Sequence, residues 1–132
     1  MDSLVELIKL CLTRRYFKFS GRASRREFWG FYIFTIITMA VGYTVFQEFS
    51  ETYKEEGGLI NMLFLGLIAL VMLYLVIPTI SVTIRRLHDT GKSGLWILVS
   101  FIPSVGQLIL LILCLLPSEP FDNRYGQFNP YY

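Results

Sequence analysis

The polar segment Arg85–Gly94, with the sequence RRLHDTGKSG, carries the residues of this chain that are best suited to chemistry. His88 and Asp89 could form a general acid–base pair, because histidine titrates near neutral pH. The same segment contains TGKS at residues 90–93, which resembles the end of a phosphate-binding loop. Acid–base catalysis and phosphate binding are therefore the first kinds of site to consider.

A structural role explains this segment better than catalysis does. A phosphate-binding loop also requires a glycine where this chain has Arg86 and a strand before it, whereas here a long apolar run precedes it. Adjacent residues such as His88 and Asp89 usually point apart, and no serine or cysteine beside them is marked as a nucleophile. A single histidine without a cysteine cluster is a poor metal site. We predict a non-enzymatic protein without catalytic residues, metal or cofactor.

Three apolar stretches predict an integral membrane protein. Apolar residues make up 54% of the chain and charged residues 17%. The stretches Phe28–Phe46, Leu59–Ile84 and Leu95–Leu116 contain no formal charge. A helix needs about 20 apolar residues to cross the hydrocarbon core, and these stretches are each about that long or longer. We predict one all-α membrane domain over residues 1–132, with spans at about 25–47, 59–84 and 95–116.

The third stretch allows two topologies. It could be one helix kinked at Pro103, which is the interpretation that we favour. Alternatively, Pro103–Gly106 is a turn that joins two half-length helices, which survives at membrane depth only where it is buried in protein or faces water. The choice decides on which side of the membrane the carboxyl-terminal tail, residues 117–132, lies.

The amino-terminal segment 1–24 predicts an amphipathic helix that lies in the membrane interface. Its apolar residues recur at helical spacing and are followed by basic and aromatic residues that suit the headgroup region. Ser24 and Glu27 fit a capping box, so the first span should start near Arg25. Glu27 is costly next to lipid unless a cation such as Arg85 or Arg86 pairs with it.

Charge asymmetry predicts the orientation. The first 27 residues carry seven lysines and arginines, whereas the loop Gln47–Gly58 carries four glutamates against Lys54 alone. Because basic loops stay on the cytoplasmic side, we expect the amino terminus and the Arg85–Gly94 loop to be cytoplasmic and the acidic loop to be outside.

Three signatures together resemble a small bacterial inner-membrane family, the domain of unknown function 805. They are FSGRASRREFW (Phe19–Trp29), RRLHDTGKSGLW (Arg85–Trp96) and NRYG (Asn123–Gly126). IPSVG at Ile102–Gly106 is also similar, and the resemblance covers nearly the whole chain. Where many members have two tryptophans after the glycine, this chain has Leu95-Trp96. The resemblance implies a bacterial inner-membrane location and supplies no activity, substrate or cofactor.

We predict that polar residues from these signatures form a cytoplasmic rim. Its members are Arg22, Arg25, Arg26, Glu27, Arg85, Arg86, His88, Asp89, Lys92, Asn123 and Arg124. The rim would fix the helices in register, with Glu27 and Asp89 balancing arginines. In this interpretation His88 or Asp89 caps the helix end and pairs with Arg22, Arg25 or Arg26. The rim would also hold anionic lipid or a membrane-protein partner, but no nucleic acid; backbone amides of the Gly91–Gly94 turn could approach a phosphate headgroup. The competing class is an oligomeric transporter of small solutes or ions.

Overall fold

A computed structural model describes residues 3–52 and 58–128 of the chain. The helices are α1 (Leu4–Leu12), α2 (Arg25–Thr52), α3 (Leu59–Asp89), a 3₁₀ helix (Gly94–Phe101) and α4 (Val105–Leu115). Within those two ranges there is no strand, only an isolated bridge between Asn123 and Gly126. The all-α prediction is confirmed, whereas part of the predicted acidic loop and the end of the tail, residues 53–57 and 129–132, lie outside the described residues.

Helices α2 and α3 form a long antiparallel pair. They meet at one end through Glu27 and Arg85 and at the other through the rings of Phe49 and Phe64, whose centroids lie 4.1 Å apart. Helix α2 begins at Arg25 as predicted, because the backbone N–H of Glu27 donates to the hydroxyl of Ser24 at 3.0 Å. Both helices are long and apolar enough to cross a membrane.

Burial divides this helix pair into two parts. The last buried residue of α2 is Thr35, and the first of α3 is Leu75. Residues 36–52 and 59–74 contain no buried side chain, and we call them the stalk. Apart from Gly58, which precedes α3 at the far end of the stalk, the other described residues lie around the remaining ends of the pair, and we call them the head. The polar residues of all three signatures lie in the head.

Helix α1 belongs to the head. A capping box between Ser3 and Glu6 starts it, and its buried side chains are Leu7 and Cys11. Gly30 of α2 provides the room for this contact, because a Cβ there would lie 2.3 Å from Cδ1 of Leu4. The predicted amphipathic helix is therefore present, but its apolar face packs on α2 and α3 rather than on lipid.

Helix α3 continues through Pro78 because a neighbouring side chain replaces the missing donor. Proline has no N–H, so the carbonyl of Tyr74, four residues earlier, loses its intrahelical partner. The hydroxyl of Tyr16 donates to that carbonyl at 2.8 Å, and the hydroxyl of Tyr74 donates to Leu12 O at 2.8 Å. The hydroxyl residues that follow Pro78 in α3, which are Thr79, Ser81 and Thr83, do not bond this carbonyl.

Those three side chains have other acceptors. The hydroxyls of Thr79 and Thr83 bond carbonyls one turn earlier in α3. Ser81 instead donates to the carbonyls of Arg15 and Lys18 in the segment after α1. Ser81 therefore attaches this segment to α3.

The third apolar stretch turns back halfway. Its start lies beside α3, because a Cβ on Gly94 would be 2.8 Å from Ile84. Its end returns to the same place, where the carbonyl of Leu116 accepts from Nη2 of Arg86 at 2.6 Å. Each arm is only about 16 Å long, half of the hydrocarbon core. The prediction of a single kinked span over 95–116 is therefore wrong, and the alternative with a turn is what the chain forms.

The turn has a local cause. The residue before a proline avoids the helical conformation, and Ile102 is extended with φ −78° and ψ 114°. Ser104 then has a positive φ of 63°, which reverses the chain before α4. We call the 3₁₀ helix and α4 together the hairpin.

Candidate functional site

The predicted rim residues separate into two buried ion-pair clusters and a set of exposed cations. The Glu27 cluster contains Cys11, Arg15, Glu27 and Arg85. The Asp89 cluster contains Arg22, Arg86, Asp89 and Ser118. Both lie inside the head, between elements that are far apart in the sequence.

The Glu27 cluster joins α1, α2 and α3. Glu27 is 1% exposed, and its two carboxylate oxygens accept from Nη1 of Arg85 at 2.5 Å and from Nη1 of Arg15 at 2.7 Å. The predicted pairing of Glu27 with Arg85 is confirmed. Arg15, which the sequence assigned to lipid, is a member that the prediction missed. Nε of Arg85 is buried without a hydrogen-bond partner in the described ranges.

The thiol of Cys11 completes this cluster. It donates towards Glu27 Oε1 at 3.5 Å and lies 3.9 Å from Nη2 of Arg85. Burial, with a smaller contribution from the Glu27 charge, raises the pKa of this thiol from 9.0 to about 11. Because the thiolate is the nucleophile, the raised pKa lowers the reactivity of Cys11 at neutral pH.

The Asp89 cluster fastens the hairpin to α3 through Arg86. The guanidinium of Arg86 donates from Nε to the carbonyl of Cys114 at 3.0 Å and from Nη2 to the carbonyl of Leu116 at 2.6 Å. Its Nη1 pairs with the carboxylate of Asp89, which also accepts from the hydroxyl of Ser118. Arg86 is 0% exposed. Arg86 was predicted as a rim residue that either binds lipid or has a structural role, and its burial supports the structural role.

Arg22 fastens the tail over the same cluster. Its Nε pairs with Asp89 at 2.8 Å, so one of the three predicted partners of Asp89 is confirmed. Its Nη1 and Nη2 donate to the carbonyls of Phe121 at 2.9 Å and Glu119 at 2.7 Å. One guanidinium thus holds the start of α2, the end of α3 and the tail together.

The glycine of TGKS ends helix α3. Gly91 has a φ of +74°, and its N–H donates to the carbonyl of His88 at 3.1 Å while that of Lys92 donates to Leu87 at 2.9 Å. These two bonds form a Schellman motif, in which a left-handed glycine satisfies the last carbonyls of a helix. Both amides are engaged inside the protein, so these two are not available to an anion. The signal was in the sequence, because glycine is the commonest residue at this helix-ending position.

His88 contacts residues of the NRYG signature in the head. Nδ1 of His88 lies 3.1 Å from the carbonyl of Gly21, and its ring stacks on Tyr125 with centroids 3.8 Å apart. Asn123 donates to the carbonyl of His88 at 3.0 Å and to Glu119 at 2.7 Å. His88 and Asp89 therefore have different partners, and no acid–base pair forms between them.

The remaining predicted cations face outwards. Arg25, Arg26 and Arg124 are exposed, and Lys92 is partly exposed. None of them has an ion-pair partner in residues 3–52 or 58–128. The guanidinium carbon of Arg124 lies 4.8 Å from the ring centre of Tyr125. The same ranges contain no group of three histidine, cysteine or acidic residues that could hold a metal ion.

Comparison with known proteins gives both family and homologues. Residues 16–127 match the family described as "Protein of unknown function (DUF805)". The chain is 39% identical over 117 residues to "Inner membrane protein YhaI" of Escherichia coli K12, which covers 89% of this chain and 90% of that protein. It is 33% identical over 119 residues to "Inner membrane protein YhaH" of the same strain, with 89% and 91% covered. No solved structure matches the chain.

Proposed function

The chain belongs to the family described as "Protein of unknown function (DUF805)", and from this premise we propose a non-enzymatic bacterial inner-membrane protein whose head binds anionic phospholipid. The stalk helices cross the bilayer twice. The head lies on the cytoplasmic side, because it carries the basic residues and the opposite end of the stalk is acidic. With the hairpin turning back, the amino-terminal segment and the tail share that side.

The observation that supports lipid binding is the contrast between buried and exposed arginines. Arg85 and Arg86 are neutralised inside the head, so they are not available to a ligand. Arg25 and Arg26, at the start of α2, are exposed beside them and have no acidic partner among the described side chains. A basic residue near an anionic membrane surface contributes about 1 kcal/mol. We therefore assign lipid binding to Arg25 and Arg26, assisted by Lys92 and Arg124.

Short-chain phosphatidylglycerol binding to the detergent-solubilised full chain tests this proposal. At about 1 kcal/mol for each arginine, Arg25→Gln with Arg26→Gln should weaken the affinity by roughly 30-fold, while binding of the matching phosphatidylcholine stays unchanged. The charge-retaining variant Arg25→Lys with Arg26→Lys is the matched control and should bind nearly as the wild type does. An unchanged affinity in the glutamine variant would exclude these arginines as the lipid site.

The other interpretations stay predictions. An oligomeric transporter, a homo-oligomer and a membrane-protein partner each require surfaces that more than one chain would form. A partner that needs the same arginines would be lost together with lipid binding in the glutamine variant and kept in the lysine variant.

A further inference from the structure

The stalk is shorter than the hydrocarbon core that it must cross. Its uncharged part on α3, residues 59–74, measures about 24 Å as a helix, whereas the core is about 30 Å thick. Roughly one further helical turn on the head side is therefore needed to complete the crossing. The underside of the head, where it meets the stalk, must lie at the boundary between acyl chains and headgroups.

The segment after α1 places aromatic side chains at this boundary. The hydroxyl of Tyr16 bonds the carbonyl of Tyr74, which is the last stalk residue of α3. Next to it, Phe17 is 69% exposed and Phe19 is 41% exposed. Lys18, between them, is exposed as well. Two phenylalanines with a lysine between them suit the membrane interface, because their rings can enter the acyl region while the ammonium group contacts lipid phosphates.

The tip of the hairpin reaches the same boundary on the other long helix. Nε2 of Gln107 donates to the hydroxyl of Tyr32 at 3.1 Å, and Tyr32 lies one turn before Thr35, where the head ends on α2. At this tip Phe101 is 81% exposed and Ile102 is 52% exposed. Two separate hydrogen bonds thus place two exposed apolar points at one level.

We propose that Phe17, Phe19 and the hairpin tip insert into the cytoplasmic leaflet and seat the head on the membrane. The occupant of this apolar surface is lipid rather than protein, because both points lie where the stalk length puts the edge of the hydrocarbon. The proposal rests on the stalk crossing the membrane, and it is independent of lipid binding by Arg25 and Arg26. The head would then rest on three supports, which are the stalk, the phenylalanine pair and the hairpin tip.

Fluorescence quenching in reconstituted vesicles tests the proposal. Phe17→Cys and Phe101→Cys each carry the fluorophore NBD, and the quenchers are lipids with shallow or deep nitroxides and aqueous iodide. Leu67→Cys in the stalk and Gln127→Cys on the tail, where Gln127 is exposed, are the matched controls. The native Cys11 and Cys114 are both buried, so they should not react with the fluorophore, and the wild type treated in the same way checks this.

The labels at positions 17 and 101 should lie about 5–10 Å into the boundary, quenched by the shallow nitroxide more than by the deep one. The label at position 67 should lie about 10 Å deeper, seven residues along α3. The label at position 127 should respond to iodide. Labels at 17 and 101 that respond to iodide, or to no quencher because protein covers them, would overturn the inference. Iodide access at position 67 would instead overturn the membrane position of the stalk and this inference with it.

Discussion

Replacement of Glu27 by glutamine tests whether the buried ion pairs hold the head together. The change keeps the shape of the side chain and removes the one carboxylate between Arg85 and Arg15. Arg85 is 1% exposed, so its charge would be left buried without compensation. Removing one partner of a buried pair costs about 3–5 kcal/mol. The side chain of Arg15 is 24% exposed and can turn to water, so losing that pair adds at most about 1 kcal/mol.

The expected loss of about 3–5 kcal/mol corresponds to a melting temperature lower by on the order of 10 °C. The assay heats the protein in detergent, removes aggregates and measures the remaining monodisperse peak by size-exclusion chromatography. Glu48→Gln is the matched control, since Glu48 is exposed on the stalk and exposed substitutions change stability by about 0.5 kcal/mol or less. Glu27→Gln with Arg85→Gln should recover part of the loss, because no unpaired charge remains. Equal midpoints for the Glu27 and Glu48 variants would refute the reasoning.

Two further predictions concern the backbone of α3. Gly91→Ala should lower the melting temperature by several degrees, since Gly91 has a φ of +74° and a methyl group there would meet Glu119. Gly66→Ala is the control; because there is open space around Gly66, it should leave the melting temperature unchanged or raise it. The reverse order of the two melting temperatures would contradict the helix-ending role of Gly91. Tyr16→Phe should cost about 1 kcal/mol, because it removes the donor to the carbonyl at the proline site. Pro78→Ala should cancel that cost in a double-mutant cycle by restoring a backbone N–H, and additive effects would contradict the replacement of the missing donor.

The sequence predicted some of the ion pairs in the head. A carboxylate at the edge of an apolar run needs a cation nearby, and this reasoning found Glu27 with Arg85 and offered Arg22 as one of three partners for Asp89. It did not find the acceptors of Arg86, which are mostly backbone carbonyls. Every residue has a backbone carbonyl, so no sequence pattern indicates which carbonyls a distant arginine will reach.

The sequence predicted the hairpin only as an alternative to a single kinked span. Counting apolar residues gives the same total for one full-depth helix and for two half-length arms, so length alone favoured a span. The distinguishing information lies in the turn, where Pro103 excludes a helical Ile102 and Ser104 takes a positive φ. A proline can kink a spanning helix or end it, and the contacts of Arg86 with Cys114 and Leu116 decide between them.

The boundary between stalk and head was hidden because lipid and protein select the same residue types. Residues 59–84 form one continuous apolar stretch in the sequence. From Leu75 onwards, however, other parts of the protein bury residues of α3. Hydrophobicity measures avoidance of water and does not record which apolar neighbour replaces it. The aromatic Tyr16 and Tyr74, paired across the boundary, would have been the available signal.

The clamp made by Arg22 also imposes an order on how the protein is made. Its partners Asp89 and Glu119 follow it by 67 and 97 residues. At about 5–20 residues per second, the ribosome needs about 5–20 s after Arg22 to synthesise Glu119. If the two long helices cross the membrane as proposed, they can insert during that interval, before Arg22 and Arg86 have all their partners. Residues 117–128 follow both long helices in the chain, so the contacts of Arg22 with the tail form after those helices have been synthesised.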